Sequence, residues 1–236
     1  MSEQMIFKRY ELKYMLTKEQ QAIIKEAMKE HMIADVHGRN TTCSLYFDTP
    51  DFLLIRRSIE KPMYKEKLRL RSYGVAGDDT TVFVELKKKY NKVVYKRRIG
   101  MSEIESERYL LDHEQVMDTQ ISREIDYCME HYPGLAPAVM LSYQREAFYD
   151  KDDHDFRMTF DDTILFRQDH LSLKDGIFGE PIIDENQVLL EVKTASAIPL
   201  WLVKVLSDNH IYKTSFSKYG TAYRIIEERK KAGVSA

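Results

Sequence analysis

The chain has 236 residues, 43% of them hydrophobic and 31% charged, enough apolar material for a core and more charge than an average domain carries. With 36 basic against 38 acidic side chains the net charge is −2, which excludes a surface coated in positive potential, so any polyanion site must be local. The two cysteines, Cys43 and Cys128, have neither a CxxC spacing nor histidine-rich neighbours, which argues against a disulfide framework or a zinc site and for a reducing cytoplasm.

Arg9 to Tyr14 alternates charged and apolar residues, as a strand with one wet face does. Thr17 followed by Gln20 has the form of a capping box, and Ile23, Ile24, Ala27 and Met28 then fall on one face of a helix reaching His31. From Thr41 the texture changes to strands. Cys43 to Phe47 is one, closed by a turn at Asp48-Thr-Pro50-Asp51. Lys65 to Tyr73 and Thr81 to Lys89 are two more, separated by Gly74, Gly77 and the Asp78-Asp79 pair, and Val93 to Ile99 is a fourth. Ser102 and Glu105 form a second capping box that opens a helix through Leu111, and Ser122 to His131 predicts another, stopped by Pro133-Gly134. Strands resume at Val139 to Phe148, Phe156 to Asp161 and Val188 to Thr194. Pro199 then starts an amphipathic helix whose Trp201, Leu202 and Val205 read as core, and Ser217 to Lys231 predicts the last helix. The total is about eight strands and five helices.

Residues at i, i+2 and i+4 of a strand share a face, and that rule sorts charge along this chain. Arg9, Glu11 and Lys13 share a face opposite Tyr10, Leu12 and Tyr14; Lys67, Arg69 and Arg71 lie opposite Leu68 and Leu70. Glu85, Lys87 and Lys89 oppose Val84 and Leu86, while Lys96 and Arg98 oppose Tyr95, Arg97 and Ile99. Tyr143 aligns with Arg145, Arg157 with Thr159 and Asp161, and Glu191 with Lys193. A plain solvated sheet face accounts for any one of these strands. Seven strands repeating a basic pair, or an acid two residues before a base, fit a different arrangement: an α+β, mainly antiparallel fold in which an eight-stranded closed β-tunnel carries a charged interior and helices pack outside. Charges pointing into such a tunnel need partners, because isolated buried charge is prohibitively costly. Linear phosphates suit it, since Arg forks bind their oxygens bidentately, Lys supplies point charge, and Mg²⁺ or Mn²⁺ on phosphates needs one or two carboxylates.

The stretches Arg9-Tyr-Glu-Leu-Lys-Tyr14, Ser44-Leu-Tyr-Phe-Asp-Thr49, Lys67-Leu-Arg-Leu-Arg71, Val84-Glu-Leu-Lys87, Ser142-Tyr-Gln-Arg-Glu-Ala-Phe148, Leu190-Glu-Val-Lys193 and Ser215-Phe-Ser-Lys-Tyr-Gly220 together resemble the triphosphate tunnel superfamily, and more closely its VTC branch. No single motif is specific; the ordered set over nearly the whole chain is. The resemblance implies an eight-stranded tunnel and a metal-dependent polyphosphate polymerase that moves the γ-phosphate of ATP onto a growing polyphosphate chain, with Mn²⁺ or Mg²⁺ as cofactor. It makes Lys13, Arg69, Arg71, Lys87, Lys96, Arg145, Lys193 and Lys218 the basic phosphate ligands, with Tyr143 lining the same strand face as Arg145 and Ser217 beside Lys218 at a helix start. Glu191 is its principal metal carboxylate. The charge-sorted strands then predict Arg69, Arg71 and Arg145 as a clamp on the transferring group, with Lys13 completing the catalytic set. The strand faces add Arg9 and Arg98 to the phosphate set, and Glu11 and Glu85 to the metal set. One departure stands out: triphosphatase and cyclase relatives begin Glu-x-Glu-x-Lys, whereas Arg9 replaces the first acid here, which weakens a hydrolase reading.

A triphosphate hydrolase of the same fold, and a non-catalytic sensor of polyphosphate or phosphoinositide, remain the alternatives. A nucleic-acid partner is not expected, since it would favour a strongly basic balance. No stretch approaches the roughly 18 apolar residues of a spanning helix, and Met1 to Tyr14 lacks an apolar signal core. The expectation is one cytoplasmic domain over residues 1–236, its tail loosening after about residue 229, with no membrane segment and at most a separate membrane partner.

Overall fold

A computed structural model describes residues 10–91 and 93–233. Its elements run β1 (Tyr10–Thr17), α1 (Lys18–Met28), β2 (Met32–Ala34), β3 (Asn40–Asp48), α2 (Leu53–Ile59), β4 (Tyr64–Tyr73), β5 (Thr81–Tyr90), β6 (Val93–Ser102), α3 (Glu103–Leu110), α4 (Gln120–His131), β7 (Ala136–Asp150), β8 (Arg157–Arg167), β9 (Glu180–Pro181), β10 (Gln187–Thr194), α5 (Leu200–Asp208) and α6 (Lys218–Lys231). The fold is α+β and mainly antiparallel, as the period-two runs require.

The chain divides into two compact units. The first holds the described residues of 1–41, 143–164 and 181–216. Its strands are ordered β1-β10-β8-β7, with β2 on β7. Tyr14, Leu16, Phe156, Met158, Phe160, Val188, Leu190 and Val192 point to one side, and Ile24 and Met28 of α1 and Leu202 and Leu206 of α5 close a core over them. The Thr17 hydroxyl accepts from Gln20 N, and the Gln20 side chain accepts from Thr17 N, so α1 begins on the capping box its sequence announces. Trp201 packs against this core and stacks on His31 at 4.8 Å, a packing role.

The second unit holds residues 42–142, 165–180 and the described residues of 217–236, with strands ordered β7-β3-β4-β5-β6. Leu68, Leu70, Val82, Val84, Leu86 and Ile99 are buried on one side under Tyr109 and Leu110 of α3 and Ile125 and Cys128 of α4. Each such fully buried aliphatic contributes about 1.5–3 kcal/mol relative to exposure. That burial fixes the register, because a slip of one residue would turn Lys67, Arg69 and Arg71 into the core.

Two features depart from the expectations. The strand path is open among the described residues, with β1 at one end and β6 at the other, so the expected closure into a tunnel is not shown; a closed sheet would require these two edges to pair. Secondly, Asp48 to Asp51 is more than a turn, since it launches α2. The Asp48 carboxylate accepts from Leu54 N and Ile55 N at 2.8 and 3.0 Å, and Thr49 Oγ1 accepts from Leu53 N. The cap comes from the end of β3, six residues ahead, so no adjacent capping signal marks it. No helix among the described residues is long and apolar enough to cross a membrane.

Candidate functional site

The polar faces of both units carry the predicted residues. In the second unit, the register sets Arg69, Glu85 and Arg98 side by side across β4, β5 and β6, with Lys67, Lys87 and Lys96 in the next row of the same face. Glu85 is 1% exposed and anchors the group. Its Oε2 accepts from Arg69 Nε at 2.7 Å and lies 3.7 Å from Arg71 Nη1; its Oε1 lies 2.7 Å from Lys96 Nζ and 3.7 Å from Arg98 Nε. Burial alone would raise this carboxylate, but Arg69, Arg71 and Lys96 outweigh it and hold the group at about 2. Four cations therefore converge on one acid that is ionised at neutral pH.

Strand β3 supplies the wall beside them. Ser44 and Tyr46 face Arg71 and Arg69 across the β3–β4 pairing. Arg71 Nε donates to Ser44 Oγ at 3.3 Å and Arg69 Nη1 donates to Tyr46 Oη at 2.9 Å. The Tyr46 ring stacks on Tyr219 of α6 with centroids 4.4 Å apart, and Tyr219 Oη donates to Asp48 Oδ2. Ser217 caps α6 by accepting from Gly220 N, and Lys218 is the first helical residue, next to that stacked ring. Arg98 lies 3.5 Å over the Phe83 ring, opposite Gly100, where a Cβ would stand only 3.3 Å from the ring. Arg97 takes the other face and donates to Glu124 of α4 at 3.0 Å, separate from the Lys96–Arg98 face.

In the first unit the row is Lys13, Glu191 and Thr159 across β1, β10 and β8, flanked by Glu11, Lys193 and Arg157. Lys13 Nζ lies 3.1 Å from Glu11 and 3.3 Å from Glu191. Arg145 of β7 forks onto Asp161 with both contacts at 2.6 Å and reaches Glu191 at 3.3 Å. Burial opposes the Arg145 charge, but Tyr143, Asp161 and Glu191 more than compensate and hold the guanidinium well above its ordinary value. The Tyr143 ring lies beneath it at 5.1 Å.

The structure thus gathers Arg69, Arg71, Lys96 and Arg98 around Glu85, with Lys67 and Lys87 on the same face, and gathers Lys13 and Arg145 around Glu191, with Glu11, Lys193 and Tyr143 on theirs. Arg9 lies outside the described residues. The sequence reading did not assign Asp161 or Tyr46, although Asp161 shares a strand face with Arg157 and Thr159, and Tyr46 shares one with Ser44 and Asp48. For a divalent cation the donor sets differ. Both oxygens of Glu85 are engaged by cations, so it fits the role of internal counter-ion better than that of metal ligand. Glu11 and Glu191 converge on one ammonium and could converge equally on a metal whose other oxygens come from phosphates. Among the described residues no group of three or more His, Cys, Asp or Glu could hold a metal unaided.

A family model of the VTC domain matches residues 8–227. No curated protein matches the chain. Among solved structures it is similar to a candidate adenylate cyclase from Vibrio parahaemolyticus, with 14% identity, 93% of this chain and 99% of that chain covered, and a TM-score of 0.52. A candidate adenylate cyclase from Bacillus halodurans has 14% identity over 95% of this chain and 89% of its own, with a TM-score of 0.49. A candidate adenylyl cyclase from Hippeastrum that reveals a dominant triphosphatase activity has 12% identity over 89% and 92%, with a TM-score of 0.47. At these identities the likeness to the Vibrio protein is one of fold alone.

Proposed function

The chain belongs to the VTC domain family, and from that membership and its two charged faces we propose that it is a metal-dependent polyphosphate polymerase acting on ATP and inorganic polyphosphate. The observation that carries the proposal is the set of four cations converging on the single buried carboxylate of Glu85. Such a group suits a ligand with closely spaced negative charges, and Arg forks match phosphate oxygens.

In the reaction proposed, a terminal oxygen of the polyphosphate chain attacks the γ-phosphorus of ATP. The bond from that phosphorus to the β–γ bridging oxygen breaks, and ADP leaves with the electron pair. The attacking oxygen is already anionic, so no dedicated base is needed. Phosphoryl transfer depends mainly on positioning and on charge cancellation. Glu85 keeps Arg69, Arg71, Lys96 and Arg98 in place, Lys67 and Lys87 extend the phosphate-binding row, and Asp161 fixes the Arg145 fork. In the first unit Lys13 and Lys193 bind phosphate beside the carboxylates; in the second, Ser217 and Lys218 contribute from the start of α6. Glu191 and Glu11 would hold Mn²⁺ or Mg²⁺, which when bound neutralises charge on the phosphates.

Incubation of the protein with ATP and either metal, with and without a short polyphosphate primer, tests this on a gel. A ladder of long polyphosphate is expected. Free phosphate without a ladder would move the protein to the triphosphatase class, and bound polyphosphate without turnover would make it a sensor.

A further inference from the structure

Tyr46 carries no role in the sequence reading, yet it borders the charged cluster of the second unit from the neighbouring strand β3. It is 8% exposed and projects from β3 directly across from Arg69. Its hydroxyl accepts from the same guanidinium that binds Glu85, and the Arg69 carbon lies 5.8 Å from its ring centroid. The ring cannot swing aside, because Tyr219 stacks on it at 4.4 Å and is itself tied to the buried Asp48. Lys67 lies over the outer ring of that stack at 5.9 Å.

We propose that Tyr46 is a positioning residue that gates Arg69: as a neutral phenol it holds the guanidinium ready for phosphate, and as a phenolate it competes with phosphate for the same cation. The proposal rests on the polyphosphate reading and adds a proton dependence to that site. A buried phenol ordinarily ionises less readily than a free one, but here Arg69, Lys67 and Arg71 overcome burial and bring Tyr46 down to about 8. The groups facing it are Arg69, Lys67 and Arg71 from β4 and the Tyr219 ring from α6; behind Arg69 stand Glu85 of β5 and its partner Lys96 of β6, and behind Tyr219 stands Asp48 of β3. Glu85 is ionised throughout, at about 2, and Tyr219 is pushed far up by burial and Asp48. Burial lowers Lys96 from its ordinary value, and wild type and a Tyr46→Phe variant share that lysine, so the comparison between them cancels its contribution.

The linkage is reciprocal. A phenol at about 8 is mostly neutral at pH 7 and mostly ionised at pH 9, so tripolyphosphate affinity falls roughly ten-fold over that interval if phosphate requires the neutral form. Bound tripolyphosphate must in turn raise the pH at which the phenol ionises. Tyr46→Phe keeps the ring stack and removes the ionisation.

Tripolyphosphate binding to the full chain, measured by calorimetry at pH 7 and pH 9 for wild type and Tyr46→Phe, is one arm of the test. Phenolate absorbance across the same range, with and without tripolyphosphate, is the other. The expected result is a wild-type affinity that drops by about ten-fold more than the variant's, together with one tyrosine ionising near pH 8, absent from the variant and displaced upward by ligand. Equal alkaline losses in the two proteins, or no tyrosine signal that the substitution removes, would overturn the proposal. Wild type that binds no tripolyphosphate at pH 7 would overturn the polyphosphate reading itself, and this inference with it.

Discussion

Replacing Glu85 by Gln keeps the shape of the side chain and removes the charge that four cations share. The carboxylate ionises at about 2 instead of its ordinary 4.5, although burial alone would push it the other way. That difference corresponds to ~3 kcal/mol of folded-state stabilisation, and the 1% exposure of the side chain means that solvent screens little of it. A folded-state value below the unfolded one gives stability that is fully present above pH 4.5 and is lost as pH falls through about 2. Glu85→Gln should therefore lower the thermal unfolding midpoint at pH 7 by roughly 6–12 °C for a chain of this size. The deficit should shrink below pH 4 and nearly vanish at about pH 2, where wild type is itself half protonated. Tripolyphosphate should raise the midpoint more in the variant than in wild type, because phosphate replaces the missing anion among Arg69, Arg71, Lys96 and Arg98. Calorimetric melts across pH, with and without tripolyphosphate, measure all three effects. A variant as stable as wild type at pH 7, or one that gains less from the ligand, would refute the reasoning.

Arg145→Lys should cost about 3 kcal/mol despite conserving charge, since Asp161 is fully buried and an ammonium cannot reproduce the fork; denaturant unfolding measures it, and a loss under 1 kcal/mol would contradict the assignment. Arg98→Gln should weaken tripolyphosphate binding several-fold, whereas Arg97→Gln, which breaks only the partly exposed pair with Glu124, should leave binding unchanged and cost about 1 kcal/mol or less of stability. Titration calorimetry on the two variants separates adjacent residues of like charge, and equal losses would mean that the charged face does not bind phosphate. Glu191→Gln should keep the fold while raising the Mn²⁺ concentration needed for half-maximal turnover at least ten-fold, as expected when a metal loses one of two carboxylates.

Alternation made the sheet legible. Lys67-Leu-Arg-Leu-Arg71 can satisfy its leucines only by placing all three cations on one side, and the register then sets Arg69 beside Glu85 and Arg98. The same rule separates Arg97 from its neighbours, and the capping boxes at Thr17 and Ser102 mark α1 and α3 where they begin. Longer-range effects were not legible. The α2 cap lies at Asp48, outside the local window in which a helix start is read. Asp161 gains its meaning only when β7 delivers Arg145 to it, sixteen positions away in sequence. Tyr46 reads as one more aromatic packing residue until its hydroxyl is seen to accept from Arg69. Whether strand edges meet depends on accumulated twist and stagger, which no single strand encodes.

The fate of the γ-phosphate tests the central claim most directly. Wild-type protein would be given ATP labelled at that position, a short polyphosphate primer and Mn²⁺, and the label would be followed through the separated products. The account predicts that the label enters polymer longer than the primer, with one ADP formed for each phosphate added. Label recovered only as free phosphate, or retained in ATP while polyphosphate stays bound, would contradict it.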